Sequence, residues 1–574
     1  MANLQKKTEW RIYGRRADFN GLSARFSVSP VLIRLMVNRG VAPEEMGQYL
    51  HGTLRDLPDP ALLKDLEKAA ELLIARRNAG GKVRVIGDYD IDGICASCIL
   101  LIGLRRIGLD TDYDIPDRVK DGYGLNERLV TDAADAGRDT LITCDNGIAA
   151  VSEIRKAKEL GLTVIVTDHH EVGHGDDGGE LLPPADAVVD PKREGCGYPT
   201  KSICGAVVAW KLVQRLFQLE GVPREAWEEM LPFAAIATVG DVMPLQGENR
   251  IIVREGLIAM KDCRITGLRA LMESCGLNPE RLTAYSIGFV IGPCLNAGGR
   301  LESARVGLDL LMERDEARAR KLAEHLKDLN DERKDMTARS TDEALRQAEE
   351  QESTKVLVVY VPECHESVAG IVAGRLREHC YRPSIVLTDS ADPGLLKGSG
   401  RSIEAYHMFR GLEEVKDLLV RFGGHPMAAG MTLRREDLPE FRRRLNANAD
   451  LTEEELTERV WIDAPVPFGY LSEAFVKELS LLAPFGQGNE SPVFAQKNVR
   501  ILSARAAGRN RNVVRLRLLG EDQARIDGIL FGDADSFFSE KGNRDLFSIL
   551  YYPEINEYMG TRSLQVVIRG WKFQ

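Results

Sequence analysis

The chain has no long hydrophobic run and few cysteines. No stretch of its 574 residues approaches the roughly 20 consecutive apolar residues that a membrane-spanning helix needs. Met1–Trp10 contains lysines but no apolar run after them, which argues against a signal peptide. Ten cysteines are too dilute for a disulfide scaffold and suit a reducing compartment. We therefore expect a cytoplasmic protein without membrane contact.

An excess of positive charge is also missing. The net charge of −11 argues against nucleic-acid binding by the whole surface, although it allows a local basic groove. The hydrophobic content of 44% and the charged content of 28% are ordinary for a globular protein. The chain is too long for a single hydrophobic core, so about three or four domains are expected.

Patterns along the chain predict an α/β protein with a β-rich end. Between residues 82 and 245, strands alternate with helical patterns, which is typical of a parallel sheet covered on both faces. Residues 304–352 keep roughly helical spacing, which favours a long connecting helix or a helix pair over a coiled coil. The predicted regions are an N-terminal region (1–75), a parallel-sheet domain (76–245), a helical connector (246–350), a second α/β domain (351–448) and a small β-barrel (455–574).

Acidic residues stand at the ends of three predicted strands in the parallel-sheet domain. They are Asp88, Asp90 and Asp92 after the first strand, Asp145 after the second, and Asp168, His169 and His170 after the third. Sites in open parallel sheets form beyond the carboxyl ends of the strands, so we expect these side chains to cluster. Asp241, which follows a further apolar run, could complete the cluster.

A mixed set of carboxylates and imidazoles favours Mn²⁺ or Mg²⁺, with Mn²⁺ the better fit. An EF-hand calcium loop is excluded because Ile99 stands where that loop needs Glu. Cys95 and Cys98 have the spacing of a redox or zinc pair, but they lie in an apolar run without a second pair. We interpret them as core residues.

With these motifs the chain resembles the DHH phosphoesterase superfamily and, within it, the bacterial RecJ single-strand exonucleases. The resemblance covers almost the whole chain. It rests on seven motifs in order, Asp88-Tyr-Asp-Ile-Asp-Gly93, Asp145-Asn-Gly147, Asp168-His-His170, Val239-Gly-Asp241, Asn296-Ala-Gly-Gly-Arg300, Gly398-Ser-Gly-Arg-Ser402 and Gly423-Gly-His-Pro426. It implies a DHH domain, a helical connector, a DHH-associated α/β domain and a C-terminal OB-like barrel.

The resemblance also implies roles for the acidic cluster. The implied ligands of two metal ions are Asp90, Asp92, Asp145, His169 and Asp241, with Asp145 bridging the ions. Asp88 and His170 are implied to orient ligands or to contact the scissile phosphate. A two-ion centre generates hydroxide from water at neutral pH, so no protein nucleophile is needed.

A phosphate anchor is expected in the downstream half of the chain. From the residues alone, Gly398–Ser402 offers amides, hydroxyls and a guanidinium within one turn, which suits an anion. An ordinary glycine turn with a surface arginine is an equally good interpretation. The resemblance implies that the 5′-terminal phosphate is held by Arg118, Arg300, Ser399 and Arg401, and that His425 contacts the substrate.

The C-terminal region has a local excess of positive charge. No acidic residue lies between Glu490 and Glu521, and the alternation in Val513–Leu518 puts both of its arginines on one strand face. A basic strand face suits an OB-fold that holds single-stranded DNA by its backbone, whereas the alternative is a merely solvated face. The predicted DNA-binding residues are Arg509, Arg511, Arg515 and Arg517.

The combined pattern predicts a metal-dependent 5′→3′ exonuclease of single-stranded DNA that releases nucleoside 5′-monophosphates in repair and recombination. One alternative is a DHH phosphodiesterase acting on short oligonucleotides or cyclic dinucleotides, and another is a non-catalytic DNA-binding scaffold. The expected partners are single-stranded DNA with a 5′ end, a helicase and a single-strand-binding protein, and the chain is expected to be a monomer. Residues 1–75 carry no recognisable chemistry.

Overall fold

A computed structural model describes residues 6–118, 121–175, 178–351, 353–558 and 560–574. The chain divides into two compact units. The larger unit comprises Arg11–Gly292, Leu308–Glu316 and Trp461–Gln574, and the smaller comprises Pro293–Gly307, Ala317–Val460 and the described residues before Arg11. None of the helices in the described ranges has both the length and the apolar character needed to cross a membrane.

Strands occur in three parts of the chain. In order they are β1 (Lys7–Ile12), β2 (Lys82–Gly87), β3 (Asp110–Asp114), β4 (Thr140–Cys144), β5 (Thr163–Thr167), β6 (Ala187–Val189), β7 (Leu357–Tyr360), β8 (Ser384–Asp389), β9 (Leu395–Arg401), β10 (Leu419–Gly424), β11 (Ala428–Arg434), β12 (Thr457–Ile462), β13 (Ala464–Pro465), β14 (Phe494–Ala507), β15 (Val513–Leu519), β16 (Arg525–Phe531), β17 (Leu546–Tyr558) and β18 (Thr561–Phe573). β1 pairs with β12, and the remaining strands form three larger sheets.

Helices fill most of the remaining chain. In order they are α1 (Phe19–Phe26), α2 (Pro30–Asn38), α3 (Met46–His51), α4 (Leu66–Asn78), α5 (Ile91–Arg106), α6 (Glu127–Asp135), α7 (Val151–Glu159), α8 (Gly205–Glu220), α9 (Arg224–Glu228), α10 (Leu231–Gly240), α11 (Gly247–Ala259), α12 (Thr266–Ser274), α13 (Ala284–Ser286), α14 (Gly292–Leu301), α15 (Arg305–Met312), α16 (Glu316–Glu349), α17 (Glu366–Cys380), α18 (Met408–Glu413), α19 (Leu438–Asn448), α20 (Glu473–Leu479) and α21 (Ala534–Lys541). A π-helical turn, Ile287–Ile291, lies between α13 and α14. α16 confirms the predicted long helix.

The sheet that carries the acidic strand ends is parallel, as predicted. Its order is β3-β2-β4-β5-β6, and every neighbouring pair runs in the same direction. β4 and β5 are buried along their whole length. Residues of α6 and α7 pack on the sheet in one core cluster, and α5 and α8 pack against each other and the strands. Strands covered on both faces read as continuous apolar runs, which is why these segments show no alternation.

Helix α5 connects the first strand end to the protein interior. Its N-terminus is capped by the Asp90 carboxylate, which accepts hydrogen bonds from the Asp92 and Gly93 amides at 2.9 and 3.2 Å. The helix is apolar nearly all round because it is enclosed by the sheet, α8 and α10. Cys95 and Cys98 are fully buried in it, which confirms their interpretation as core residues.

The C-terminal strands form a closed sheet with the N-terminal helices in its core. The order is β13-β14-β15-β16-β18-β17, and a further pairing of β14 with β17 completes a barrel. Leu32 and Met36 of α2 share a hydrophobic cluster with Phe494 and Phe547 of the barrel. Buried side chains of α2 and α3 therefore belong to the barrel's hydrophobic cluster, and α1 packs against it. This gives a structural role to a region that the sequence patterns left without one.

Hydrogen bonds of buried polar side chains link the N-terminal helices to α11 and to the segment before β14. The Tyr49 hydroxyl donates a hydrogen bond of 2.6 Å to the Asn489 side chain. The Arg250 guanidinium of α11 is 2% exposed and donates to the main-chain carbonyls of Tyr49, Leu481 and Leu482 at 2.7–2.9 Å. Because buried carbonyls need donors, this arginine satisfies groups from two distant parts of the chain.

The smaller unit contains a five-stranded mixed sheet of order β10-β11-β9-β8-β7. Only the β7–β8 pair is parallel among its described pairings. α17 and the end of α16 pack on one face, and α18 and α19 pack on the other. The unit is thus a three-layer α/β/α structure, consistent with the predicted second α/β domain.

Candidate metal centre and nucleic-acid interface

The register of the parallel sheet brings the acidic strand ends side by side. Gly87 pairs with Cys144, and Cys144 pairs with Thr167. The residues that follow them, including Asp145, therefore leave the sheet at the same edge. Asp241 reaches this edge from the C-terminus of α10.

His169 lies at the centre of the cluster. Its Nε2 atom is 3.0 Å from Asp145 Oδ1, 3.5 Å from Asp92 Oδ2 and 3.6 Å from Asp241 Oδ2. The candidate ligand atoms form three groups, each within 4.8 Å, namely Asp145–His169–His170, Asp92–His169–Asp241 and Asp88–Asp90–Asp145. The structure thus brings together all seven residues predicted for this site. Asp145 and His169 each occur in two of the groups, so these two residues connect the three groups.

Each carboxylate of the cluster makes the ionised form of its neighbours less stable. Burial, followed by repulsion from Asp90, raises the pKa of Asp88 to about 8. Burial and then Asp92 raise the pKa of Asp241 to about 8 and that of Asp145 well above its usual value. The buried Oδ2 of Asp241 has no hydrogen-bond partner among the described residues. Uncompensated buried charges are costly, so this oxygen-rich donor set fits hard divalent cations such as Mn²⁺ and Mg²⁺.

The start of α8 fixes the orientation of Asp92. The two carboxylate oxygens accept hydrogen bonds from the Gly205 and Ala206 amides, each at 2.7 Å. A Cβ atom on Gly205 would lie 2.6 Å from the Cβ of Asp145. Only glycine therefore lets α8 approach the cluster, a requirement that was not predicted because it arises between segments distant in sequence.

Asp168, the first residue of the predicted third strand end, positions His170. Its buried carboxylate accepts from the Ile148 amide at 2.9 Å and lies 2.7 Å from His170 Nδ1. Burial alone would lower the pKa of His170, but the hydrogen bond to Asp168, together with attraction to the carboxylates of Asp168, Asp241 and Asp92, outweighs burial and raises that pKa to about 9. The surroundings of His170 therefore favour its protonated form, and its side chain is 43% exposed.

A fourth acidic strand end was not predicted. Asp190 follows β6, and its side chain is fully buried. Burial raises its pKa to about 7, and its Oδ2 has no partner in the described part of the chain. The sequence signal was an aspartate directly after a short apolar strand, the same signal as at the three predicted strand ends.

Arg118 is the predicted phosphate anchor that lies in the larger unit. Its guanidinium carbon is 4.8 Å from the centre of the Tyr89 ring, and this ring packs edge-on against Tyr123 at 6.3 Å. The Tyr123 hydroxyl donates to the main-chain oxygen of Asp145 at 3.1 Å. The loop that contains Arg118 and Tyr123 thus borders the acidic cluster.

The other predicted anchors belong to the smaller unit, and their backbone differs from expectation. Gly398–Arg401 is not a turn but part of the strand β9, paired on both sides with β8 and β11. Its amides and carbonyls face neighbouring strands, so they cannot all converge on one anion. The expected anion turn is therefore wrong, and only the side chains remain available for binding.

These side chains meet at the first turns of α17. The Arg401 guanidinium donates to Ser399 Oγ at 3.0 Å, and Arg300 donates to the Ser367 carbonyl at 2.5 Å. A Cβ on Gly370 would lie 2.8 Å from Arg401 Nη2 and 3.0 Å from Ser399 Oγ. Two arginines and a hydroxyl therefore border the same helix start.

His425 lies in the hairpin between β10 and β11. Its amide donates to the Ala428 carbonyl at 2.8 Å, and Ala428 pairs with Arg401 in the sheet. The exposed His425 is thus at the end of the sheet where β9 presents Arg401.

The basic face of the barrel has the predicted alternation. Val514, Leu516 and Leu518 are buried, whereas Arg515 and Arg517 are exposed. Arg505, which was not among the predicted residues, pairs directly across from Arg515. Like charges facing each other across a strand pair are unfavourable without a counter-anion.

The other two predicted arginines differ in their surroundings. Arg511 forms a 2.6 Å ion pair with Asp535, so part of its charge is already compensated. Arg509 is exposed in the turn after β14. Arg517 faces Asp527 across the sheet, with Nε 3.7 Å from its carboxylate. The side chains best placed for a polyanion are thus the opposed Arg505 and Arg515.

Comparison with known proteins places these features in three domain families. The chain matches the DHH family N-terminal domain over residues 82–238, the DHHA1 domain over 353–450 and the RecJ OB domain over 462–570. The single-stranded-DNA-specific exonuclease RecJ of Bacillus subtilis (strain 168) is 36% identical over an alignment 574 positions long, which covers 99% of this chain and 71% of that protein.

Solved structures show the same similarity. The crystal structure of RecJ from Thermus thermophilus in complex with Mn²⁺ has a TM-score of 0.82 and 30% sequence identity, covering 99% of this chain and 80% of that one. The structure of the same protein with Mg²⁺ has a TM-score of 0.78 and 28% identity, covering 99% and 78%.

We predict that Mn²⁺ raises the melting temperature of the wild-type protein but not that of Asp145→Asn. Removing one of several mutually repelling buried carboxylates should leave the metal-free variant at least as stable as the wild type, whereas the stabilisation by bound ion should be lost. Differential scanning calorimetry with and without Mn²⁺ measures both effects. The control is Asp450→Asn, an exposed site in the smaller unit. Undiminished Mn²⁺ stabilisation of Asp145→Asn would contradict the assignment.

Proposed function

The chain belongs to the RecJ family of single-stranded-DNA-specific exonucleases, and we propose that it removes nucleoside 5′-monophosphates from the 5′ end of single-stranded DNA by metal-dependent hydrolysis. The observation that carries this proposal is the cluster of aspartates around His169, joined in one unit to an OB-type barrel with a basic strand face. The cluster suits phosphodiester hydrolysis, and the barrel suits a single strand.

The cofactor is a divalent cation, Mn²⁺ or Mg²⁺. We propose that two ions are held by Asp90, Asp92, Asp145, His169 and Asp241. When bound, such ions supply hydroxide at neutral pH and offset the charge that develops on the phosphate.

The chain's own groups prepare this site in two ways. The α8 amides hold both oxygens of Asp92, which keeps one carboxylate in place before a metal binds. Asp168 holds His170 through Nδ1, so that the charged imidazole can contact the scissile phosphate. Asp88, buried beside Asp90, is proposed to orient the neighbouring ligands.

We propose that a 5′-phosphate is recognised by Arg118, Arg300, Ser399 and Arg401, with His425 as a further substrate contact. The support is that the Arg300, Ser399 and Arg401 side chains border the start of α17, where a helix N-terminus also favours an anion. A terminal phosphate anchor explains cleavage from an end rather than within a strand.

A single-strand enzyme needs other proteins to expose its substrate. We therefore propose that the protein acts in the cytoplasm as a monomer, together with a helicase and a single-strand-binding protein, in DNA repair and recombination. The barrel supports binding of single-stranded DNA itself.

Product analysis tests the proposed activity directly. With Mn²⁺ and a long 5′-phosphorylated single strand, we expect 5′-mononucleotides from the wild type and none from Asp145→Asn, whose affinity for the strand should be nearly unchanged. Chromatography of the products and filter binding measure the two properties. Duplexes and a cyclic dinucleotide serve as comparison substrates. Efficient cleavage of the cyclic dinucleotide alone would instead favour a phosphodiesterase of small substrates.

The proposed anchor predicts a specific dependence on the 5′ group. Arg401→Gln should lower kcat/KM by about 10- to 100-fold on 5′-phosphorylated strands, because a charged hydrogen bond to phosphate is worth roughly 1.5–3 kcal/mol, and much less on 5′-hydroxyl strands. Lys397→Gln is the control, since Lys397 lies on the same strand but is paired with Glu366. An equal loss on both substrates would show that Arg401 does not read the terminal phosphate.

The barrel arginines predict a change in salt dependence. Replacing Arg515 and Arg517 by Ala should weaken binding to a long single strand and make the plot of log K against log salt less steep by about 0.7 per lost phosphate contact. Arg562→Ala removes another exposed arginine, from β18, where it faces Glu473 at 3.9 Å, and should leave the slope unchanged. If the salt-dependence slope is the same for the Arg515/Arg517 variant as for Arg562→Ala, Arg515 and Arg517 do not contact the phosphates of the strand.

A further inference from the structure

Two exposed aromatic rings of the larger unit form a flat surface that no role above uses. Tyr285 and Phe289 are 66% and 65% exposed. Their ring centres are 4.6 Å apart and their planes differ by 18°. We call this pair the aromatic shelf. Single exposed apolar side chains are common, but two rings stacked on each other form a contiguous apolar patch, and such patches mark binding surfaces.

The backbone beneath the shelf is unusual. Tyr285 belongs to α13, and Phe289 lies in the π-helical turn Ile287–Ile291. π-Helical turns are rare and are found frequently at functional sites. Here the turn accompanies two rings, four positions apart in sequence, that are stacked outside the core.

The shelf lines a cavity of about 960 Å³ in the same unit. Its lining includes Val239 and Val242, which precede and follow the candidate metal ligand Asp241 in sequence, and Pro484 and Phe485 of the segment before β14. The cavity is thus walled both by the residues next to Asp241 and by the segment that leads into the barrel. An occupant of this volume would contact residues of both segments.

Val242, which lines the cavity, directly follows the candidate metal ligand Asp241 in sequence. It has a φ of 57°, which is strained for a β-branched residue, and it is 62% exposed. Strained backbone persists where the surrounding structure enforces it, and it concentrates at functional sites. Here it turns the chain directly after Asp241, so that the ligand and the cavity wall come from adjacent residues.

We propose that the aromatic shelf and its cavity bind unpaired bases of the substrate strand beyond the nucleotide at the metal centre. This inference rests on the proposed function. Bases stack on aromatic rings without regard to sequence, as a general exonuclease requires. Arg254, Lys261 and Arg569 line the cavity together with two acidic residues, Glu280 and Glu490, which leaves an excess of one positive charge for the backbone of the strand. In a duplex the base faces are already stacked on one another, so the shelf selects single strands.

Binding without catalysis tests the proposal. In EDTA, which prevents cleavage, Tyr285→Ala/Phe289→Ala should bind an oligothymidylate of about 20 nucleotides roughly 10- to 100-fold more weakly than the wild type. Tyr285→Leu/Phe289→Leu keeps apolar bulk without π faces, and most of the loss should remain. Both rings are exposed, so the melting temperatures should be unchanged.

A cross-link locates the contact independently of affinity. An oligonucleotide that carries 5-iodouracil should cross-link to Tyr285 or Phe289 on irradiation, as identified by mass spectrometry of the wild-type protein. The control is Tyr470→Ala, which removes a ring of 43% exposure elsewhere in the same unit and should leave affinity unchanged.

The outcomes separate this inference from the proposed function. If both shelf variants bind the oligonucleotide with wild-type affinity and cross-links form only at other residues, the proposal that the shelf binds bases is wrong. This result is expected if an apolar peptide or a second copy of the chain occupies the cavity instead. Failure of the wild type to release mononucleotides in Mn²⁺ counts against the proposed function, whatever the binding results show.

Discussion

Electrostatic repulsion among buried carboxylates at one edge of the parallel sheet is the constraint on which the site depends. The register of β2, β4, β5 and β6 aligns the residues after each strand, and an aspartate stands at each of these positions. In a low-dielectric setting such charges are tolerated only with compensating donors or cations. Asp168 receives protein donors, whereas Asp88, Asp145 and Asp241 keep raised pKa values. This difference separates Asp168, which positions His170, from the neighbouring carboxylates, whose negative charge a bound cation would offset.

The metal centre supplies hydrolysis but little selectivity. We propose that selection of the substrate depends on surfaces that the chain builds from other segments, namely the arginines beside α17, the opposed Arg505 and Arg515 of the barrel, and the aromatic shelf. In this proposal each surface recognises a property shared by all single strands: a terminal phosphate, a polyanionic backbone or an unpaired base face. An exonuclease without sequence preference needs this kind of recognition.

The barrel is not an independent appendage. Its core includes α1, α2 and α3 from the start of the chain, and Arg250 of α11 bonds carbonyls from α3 and from the segment before β14. A truncation after Asn446 would therefore expose the apolar faces of the N-terminal helices as well as remove arginines. Point substitutions on the barrel surface are the cleaner test of DNA binding.

The sequence by itself determined the fold class, the buried parallel strands, the alternating face of β15 and the seven candidate metal-site residues, although Asp190 was missed. These features have local signals, since a period of two, an apolar run or an aspartate at a strand end depends on neighbouring residues only. Tertiary structure alone decided that Gly398–Arg401 is a central strand, that Gly205 must lack a side chain, that Asp535 pairs with Arg511 and that Tyr285 stacks on Phe289 outside the core. Each of these features depends on which distant segments of the chain pack together. Packing is decided by hydrophobic and steric interactions between residues that are far apart in sequence, so a local sequence pattern does not reveal it.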